Sequence, residues 1–146
     1  MGTGNTFTSG GSRELNLELL IMRLACSLPF IYHGAAILFG AFGGPGPHNF
    51  AAFMKAPDIV GYLVGLAQFA GGIAILLGAF LRVGAVCVVI VMAGAILMVH
   101  IHHGYDVSHG GMEYALTEFL LSFGLLLAGP GKFSLAGILP APLRML

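Results

Sequence analysis

The sequence predicts an all-α fold: a four-helix transmembrane bundle with a short interfacial amphipathic segment between helices 1 and 2. Three observations carry this. Of the 146 residues, 58% are hydrophobic and only 8% are charged, where a typical soluble domain is about 25% charged. The apolar residues fall into four long runs separated by glycine- and proline-rich breaks, each close to the ~20 residues that cross a ~30 Å hydrocarbon layer. Nine of the 23 glycines lie inside those runs, and the glycines follow no three-residue repeat, which suits helices that approach closely in lipid. Net charge is zero and there is no basic stripe, so nucleic acid is not an expected partner. The lipid bilayer is.

Residues 1–13 are rich in Gly, Ser, Thr and Asn and read as a disordered tail. No small-residue cleavage site closes a short apolar region there, so a cleavable signal peptide is not expected. Residues 14–131 form the expected transmembrane domain. Its first span is residues 17–40, with Pro29 inside it; lipid-embedded helices tolerate such a kink when neighbours satisfy the freed carbonyl. The run Gly43-Gly44-Pro45-Gly46-Pro47 ends the helix. Phe50, Phe53 and Met54 then recur at i, i+3, i+4, the spacing of a short amphipathic helix lying at the interface.

The second span is residues 59–81, with Gly61, Gly65, Gly71 and Gly72 in small-xxx-small spacing, which places this helix centrally. Arg82-Val83-Gly84 allows only a tight hairpin. The third span is residues 85–103, and the fourth, the shortest, residues 112–128. Gly129-Pro130-Gly131 stops it, and residues 132–146 read as a surface tail. Cys26 and Cys87 fall within spans with no metal-type spacing. They are expected as small packing residues, and as a redox pair only if their helices touch at matching depth.

Four spans put both termini on one side. Arg13, Arg82, Lys132 and Arg144 lie on that side and Lys55 alone on the other. The excess of basic residues places the termini in the cytoplasm. The expected location is a cell inner membrane, of bacterial type.

This topology gathers all six histidines at the outer end. His33 lies in the outer half of the first span and His48 just beyond it. His100, His102 and His103 end the third span, and His109 sits in the outer loop beside Asp106. Glu113 opens the fourth span at the same face, where a carboxylate is also favoured by the helix dipole. Histidine is the commonest metal ligand, so His33, His100, His103 and His109 form a candidate metal set. Facing histidines also suit a haem. The plainer alternative is that interfacial histidines fill the boundary between lipid and water. By spacing, His100 and His103 share a helix face.

Arg23 is the costliest residue to bury in lipid. It lies about 9 Å in from the cytoplasmic end at 1.5 Å per residue, within reach of Glu118 on the fourth span. An Arg23–Glu118 pair is one expectation. The other is that Arg23 holds an anionic group such as a quinone oxygen or a haem propionate. Gln68 is the one strongly polar residue within the second span, and an amide there bonds across helices or to a ligand.

Arg23 followed by His33-Gly34 and Leu38-Phe39-Gly40 resembles the first helix of the DoxX family. Gly71-Gly72-Ile73-Ala74-Ile75-Leu76-Leu77-Gly78 followed by Arg82 is similar to its second helix and hairpin. Gly110-Gly111-Met112-Glu113 and Gly129-Pro130-Gly131-Lys132-Phe133-Ser134-Leu135 are similar to its fourth-helix entrance and exit. The resemblance spans residues 19–136. It implies a four-helix membrane protein, with Arg23, His33 and Glu113 at polar positions of the family pattern. One branch of the family is a subunit of a thiosulfate:quinone oxidoreductase, and others are linked to membrane redox and oxidative-stress complexes. Two positions depart from the pattern. Ala36-Ile37 replaces a lysine common after the His-Gly, and Gln68 replaces a common glutamate. Both changes remove charge from the interior.

The expectation is therefore a membrane subunit associated with a quinone-linked redox complex, with a polar His/Glu site at the outer face. Its candidate cofactor-binding residues are Arg23, His33, Gln68, His100 and Glu113. The candidate cofactors are quinone, haem or a divalent metal, and the partners are other subunits of such a complex. Whether the chain is itself an enzyme stays open, and no catalytic residue is singled out. The alternative is a non-catalytic accessory subunit of a larger respiratory or photosynthetic complex. A small transporter has less support, because there is no inverted repeat and no pair of broken helices.

Overall fold

A computed structural model describes residues 10–143 and 146. The described residues are helical with no strand. Helix α1 runs Gly10–Phe39, α2 Gly46–Phe53, α3 Asp58–Leu77, α4 Leu81–Ala95 and α5 Glu113–Ala128. α1 and α3 share the most extensive interface. α3 packs on α4, α4 on α5, and α5 closes the ring against α1, while α2 lies across α3 and α1.

Three segments are long and apolar enough to cross a membrane: Ser12–Phe39, Asp58–Leu77 and Leu81–His103. α5 has 16 residues, or about 24 Å at 1.5 Å per residue, short of a ~30 Å hydrocarbon core. The all-helical fold matches expectation, and a short helix, α2, does lie between the first two long ones. A fourth span is not established by length.

Boundaries differ from the sequence reading in instructive ways. α1 begins at Gly10, so residues 10–13 are helical rather than tail. The rest of the expected tail lies outside the described residues. α3 ends at Leu77, not residue 81, because Gly78 takes a left-handed conformation (φ 67°) as its C-cap, a geometry glycine adopts without steric cost. Residues beyond α4 continue as a π turn, Ile96–His100, and a 3₁₀ turn, Ile101–His103. The widened turn changes the helical register just where the expected site lies.

Glycine sets the helix spacing. A Cβ on Gly34 would lie 2.3 Å from the Phe69 backbone nitrogen, and one on Gly84 would lie 2.6 Å from the Gly71 carbonyl oxygen. The α1–α3 and α3–α4 backbones therefore touch, as small-residue helix packing in membranes requires. The core between the helices holds Cys26, Phe30, Ile75, Val88, Met92 and Leu125. Cys26 and Cys87 are both free thiols. Cys26 is fully buried and contacts the Ser122 hydroxyl at 3.2 Å, so it acts as a packing residue across α1 and α5.

The chain after α5 folds back over one end of the bundle. Lys132 N donates to Asn16 Oδ1 at 2.6 Å, Val83 N donates to the Leu146 carbonyl at 3.0 Å, and Ala136 is buried.

Candidate functional site: a cleft between the helices at the histidine end

Two polar clusters lie at opposite ends of the bundle. At one end is Arg23, which is 1% exposed. Its Nε donates to the Ile75 carbonyl at 2.8 Å and its Nη2 to the Leu76 carbonyl. Its Nη1 donates to the Pro130 carbonyl at 3.1 Å and to the Phe133 carbonyl at 2.6 Å. Ile75 and Leu76 close α3, where the carbonyls carry the negative end of the helix dipole; that of Ile75 also accepts from Gly78 N at 3.2 Å. The guanidinium thus caps α3 and ties down the loop after α5. The Arg23–Glu118 pair is not formed. Four of the five N–H donors go to backbone oxygens, and Arg23 lines neither of the cavities described next. Gly78 makes room for it: a Cβ there would lie 2.8 Å from Arg23 Cζ.

At the other end two adjoining cavities open between the helices. The larger, about 500 Å³, is lined by Phe50, Phe53 and Met54 of the α2 region, Val60, Val64 and Gln68 of α3, and residues from Ile90 to His100. The smaller, about 330 Å³, is lined by Phe30, His33 and Ile37 of α1, Tyr114 and Ala115 of α5, and by Phe50, Gln68, Met92, Ala95 and His100, which it shares with the first. Both fall in the usual size range of small-molecule sites. The walls are aliphatic and aromatic, and the polar side chains are Gln68, His100, His33 and Tyr114.

Gln68 is 6% exposed at the boundary of the two cavities. Its amide has no hydrogen-bond partner among the described residues, and an unpaired buried amide is costly. His100 closes the π turn. Its Nδ1 donates to the Gly110 carbonyl at 2.7 Å. In the neutral ring this fixes the proton on Nδ1 and leaves Nε2 as an acceptor.

The structure separates other expected site residues from the cleft. His103 is exposed and its Nδ1 donates to the Val99 carbonyl at 2.9 Å. It lines neither cavity. His109 is exposed in the outer loop and its Nδ1 lies 3.1 Å from Asp106 Oδ2. Asp106 also accepts from Ser108 N at 2.8 Å and Ser108 Oγ at 2.7 Å. The Ser108 hydroxyl and amide, then His109, hold the Asp106 carboxyl below its ordinary pKa.

Glu113 lines neither cavity. Its Oε2 accepts from Val107 N at 3.3 Å and its own N donates to the Tyr105 carbonyl at 2.9 Å, so it fastens the outer loop to the start of α5. His48 joins α2 to α3, with Nδ1 2.7 Å from Asp58 Oδ2 and Nε2 3.2 Å from the Tyr62 hydroxyl.

Among the described residues no three His, Cys, Asp or Glu side chains stand close enough together to hold a metal ion. His33, His100, His103 and His109 therefore do not supply the converging donor set that a metal needs. Of the expected cofactor residues the cleft brings together His33, Gln68 and His100. It adds Tyr114, which sequence reasoning missed. The available signal was its position directly after Glu113, one turn before Glu118.

Fold and cleft together define a small helical membrane protein with a ligand-sized apolar cavity. The family model described as DoxX matches residues 18–101, more than half of the chain. The chain belongs to the DoxX family and is an integral membrane protein. The match covers α1 to the π turn, and so includes Gln68 and His100. The comparisons with curated proteins and with solved structures find no match.

Proposed function

We propose that this protein is a membrane subunit of a quinone-linked redox complex and that the cleft binds the quinone head group. The observation that supports this most is Gln68, a side chain with no hydrogen-bond partner among the described residues, at the boundary of two cavities with mostly apolar walls. A flat apolar ring with two oxygens fits those walls, and it gives the amide the hydrogen bond that the protein does not. Gln68 would bind one oxygen and His100 the other, with Phe50, Met92 and Phe30 packing on the ring. When bound, a quinone supplies two-electron, two-proton carrier chemistry. The apolar walls exclude water, and the opening toward lipid at Ile90, Met98 and Phe53 suits entry from the bilayer, since those three side chains line the larger cavity or its rim. The electron partner is then another subunit, because the cleft has no converging donor set for a redox metal.

In this reading α5 is a fourth span. The termini are cytoplasmic, the histidine end faces outward, and the membrane is a bacterial inner membrane. The distribution of Lys and Arg supports that orientation.

The test is purification in mild detergent, followed by solvent extraction and mass spectrometry of bound quinones and identification of co-purifying chains. Bound quinone is expected in the wild type and is expected to fall about tenfold in Gln68→Leu and in His100→Ala, the loss of one good polar contact. Quinone at background level in the wild type, or unchanged in both variants, would refute the reading. In that case a chain that always arrives within a larger complex is an accessory subunit.

A further inference from the structure

Glu118 is a buried carboxyl that the reading above does not use. It sits on α5, 6% exposed, one turn after Tyr114, whose side chain lines the smaller cavity. The Tyr114 side chain lies close enough to interact with the Glu118 carboxyl. The second oxygen, Oε2, is buried and has no hydrogen-bond partner. The titratable groups facing it are Cys26, from α1, and Tyr114, on its own helix. Neither is a cation. Arg23, the one fully buried cation among the described residues, is engaged by four carbonyls at the opposite end. A carboxylate in that setting lacks the donors it needs and has no counter-charge.

We propose that Glu118 is the proton store of the cleft, linked to the ligand through the Tyr114 hydroxyl. This rests on the proposal that the cleft binds a quinone-like ring. The carboxyl holds a proton and donates it toward the Tyr114 oxygen. The Tyr114 O–H donates in turn to a carbonyl oxygen of the ligand. When a ligand oxygen takes the proton, the Tyr114 O–H bond breaks and the Glu118 O–H proton replaces it. Glu118 is left as the carboxylate, and no electron moves in the step. Glu118 acts through Tyr114 and is a positioning and proton-holding residue.

The experiment is infrared difference spectroscopy on the full chain in detergent, with and without decylubiquinone, alongside a direct binding measurement. A carboxylic acid C=O band is expected to shift when the probe binds. The shift should disappear in Glu118→Gln. In Tyr114→Phe the band should remain but no longer respond, with probe binding weakened about tenfold. Should Glu118→Gln fail to fold, Tyr114→Phe decides alone: an unchanged shift overturns the proposal and a lost shift supports it. Probe binding with no carboxylic acid band moving, or with the same band moving in Glu118→Gln, overturns the proton store and leaves the quinone cleft standing. A probe that does not bind the wild type overturns both.

Discussion

The two ends of this bundle handle buried polar groups in opposite ways. At the arginine end the guanidinium meets four backbone carbonyls. Two of them, of Ile75 and Leu76, lie in the last turn of α3. Each side resolves the other's desolvation, and no donor capacity is left for a ligand beyond one N–H. At the histidine end Gln68 has no protein partner and Glu118 has an oxygen without a donor. His100 uses only one of its nitrogens. Open hydrogen-bonding capacity beside a cavity points to ligand binding, whereas complete satisfaction points to architecture. The most expensive residue in the sequence therefore belongs to the scaffold.

Substitutions at the two ends should separate on that basis. The largest effect is expected at Arg23. Arg23→Leu strands four carbonyls and should lower stability in detergent by about 3 kcal/mol or more, since hydrogen bonds to charged groups contribute ~1.5–3 kcal/mol each. Arg23→Lys should not rescue it, because an ammonium cannot reach two elements with a planar fork. Thermal unfolding followed by circular dichroism reads both. A stable Arg23→Leu protein that has lost quinone would invert the assignment of the two ends.

Next in size is Gly78→Ala. Its positive φ costs an L-residue about 1–2 kcal/mol, and the new methyl group would meet the Arg23 guanidinium and Ser134. Stability should fall with bound quinone per folded protein unchanged. Gln68→Leu should do the reverse. It removes an amide without a protein partner, so stability should stay within about 1 kcal/mol of wild type or rise, while bound quinone falls. Unfolding of Gln68→Leu would show that the amide is structural after all.

The smallest effect concerns the outer loop. Its hydrogen bonds hold Asp106 below the ordinary carboxylate value of about 3.9, with the charged form favoured in the fold. Its contribution is therefore fully present above that value and is lost as pH falls through the lower folded value. A titration of the Ser108 amide by nuclear magnetic resonance should show a midpoint below 3.9. A midpoint at or above it would mean that the Asp106–Ser108–His109 contacts do not form in solution. The cleft, which does not include these residues, should be unaffected.

Particular residues show where sequence reasoning reached and where it stopped. Gln68 was legible as a site candidate because an amide in the middle of an apolar run has no reason to be there without a partner. His33 and His100 were legible as a pair because topology alone brings their helix ends together. Glu113 was placed in the site by depth alone, whereas its carboxylate turns to the Val107 amide, a loop contact that no helical period reports. Tyr114 was missed although it directly follows Glu113 and stands one turn before Glu118, because nothing along the chain says that this face of α5 lines a cavity.

What the sequence determined by itself was the kind of protein: apolar runs of membrane length, glycine-paved helix faces, an amphipathic segment between the first two spans, and the family. The first three follow from composition and period, which act along the chain, and the family from the resemblance of its motifs. The tertiary structure alone decided the partners of the buried polar groups. Arg23 and Glu118 are both deep, opposite in charge and close enough by depth to pair. Whether they meet depends on helix rotation and on where α3 ends. Gly78 ends it early and turns its last carbonyls to the guanidinium, while Glu118 lies beside Tyr114 and Cys26.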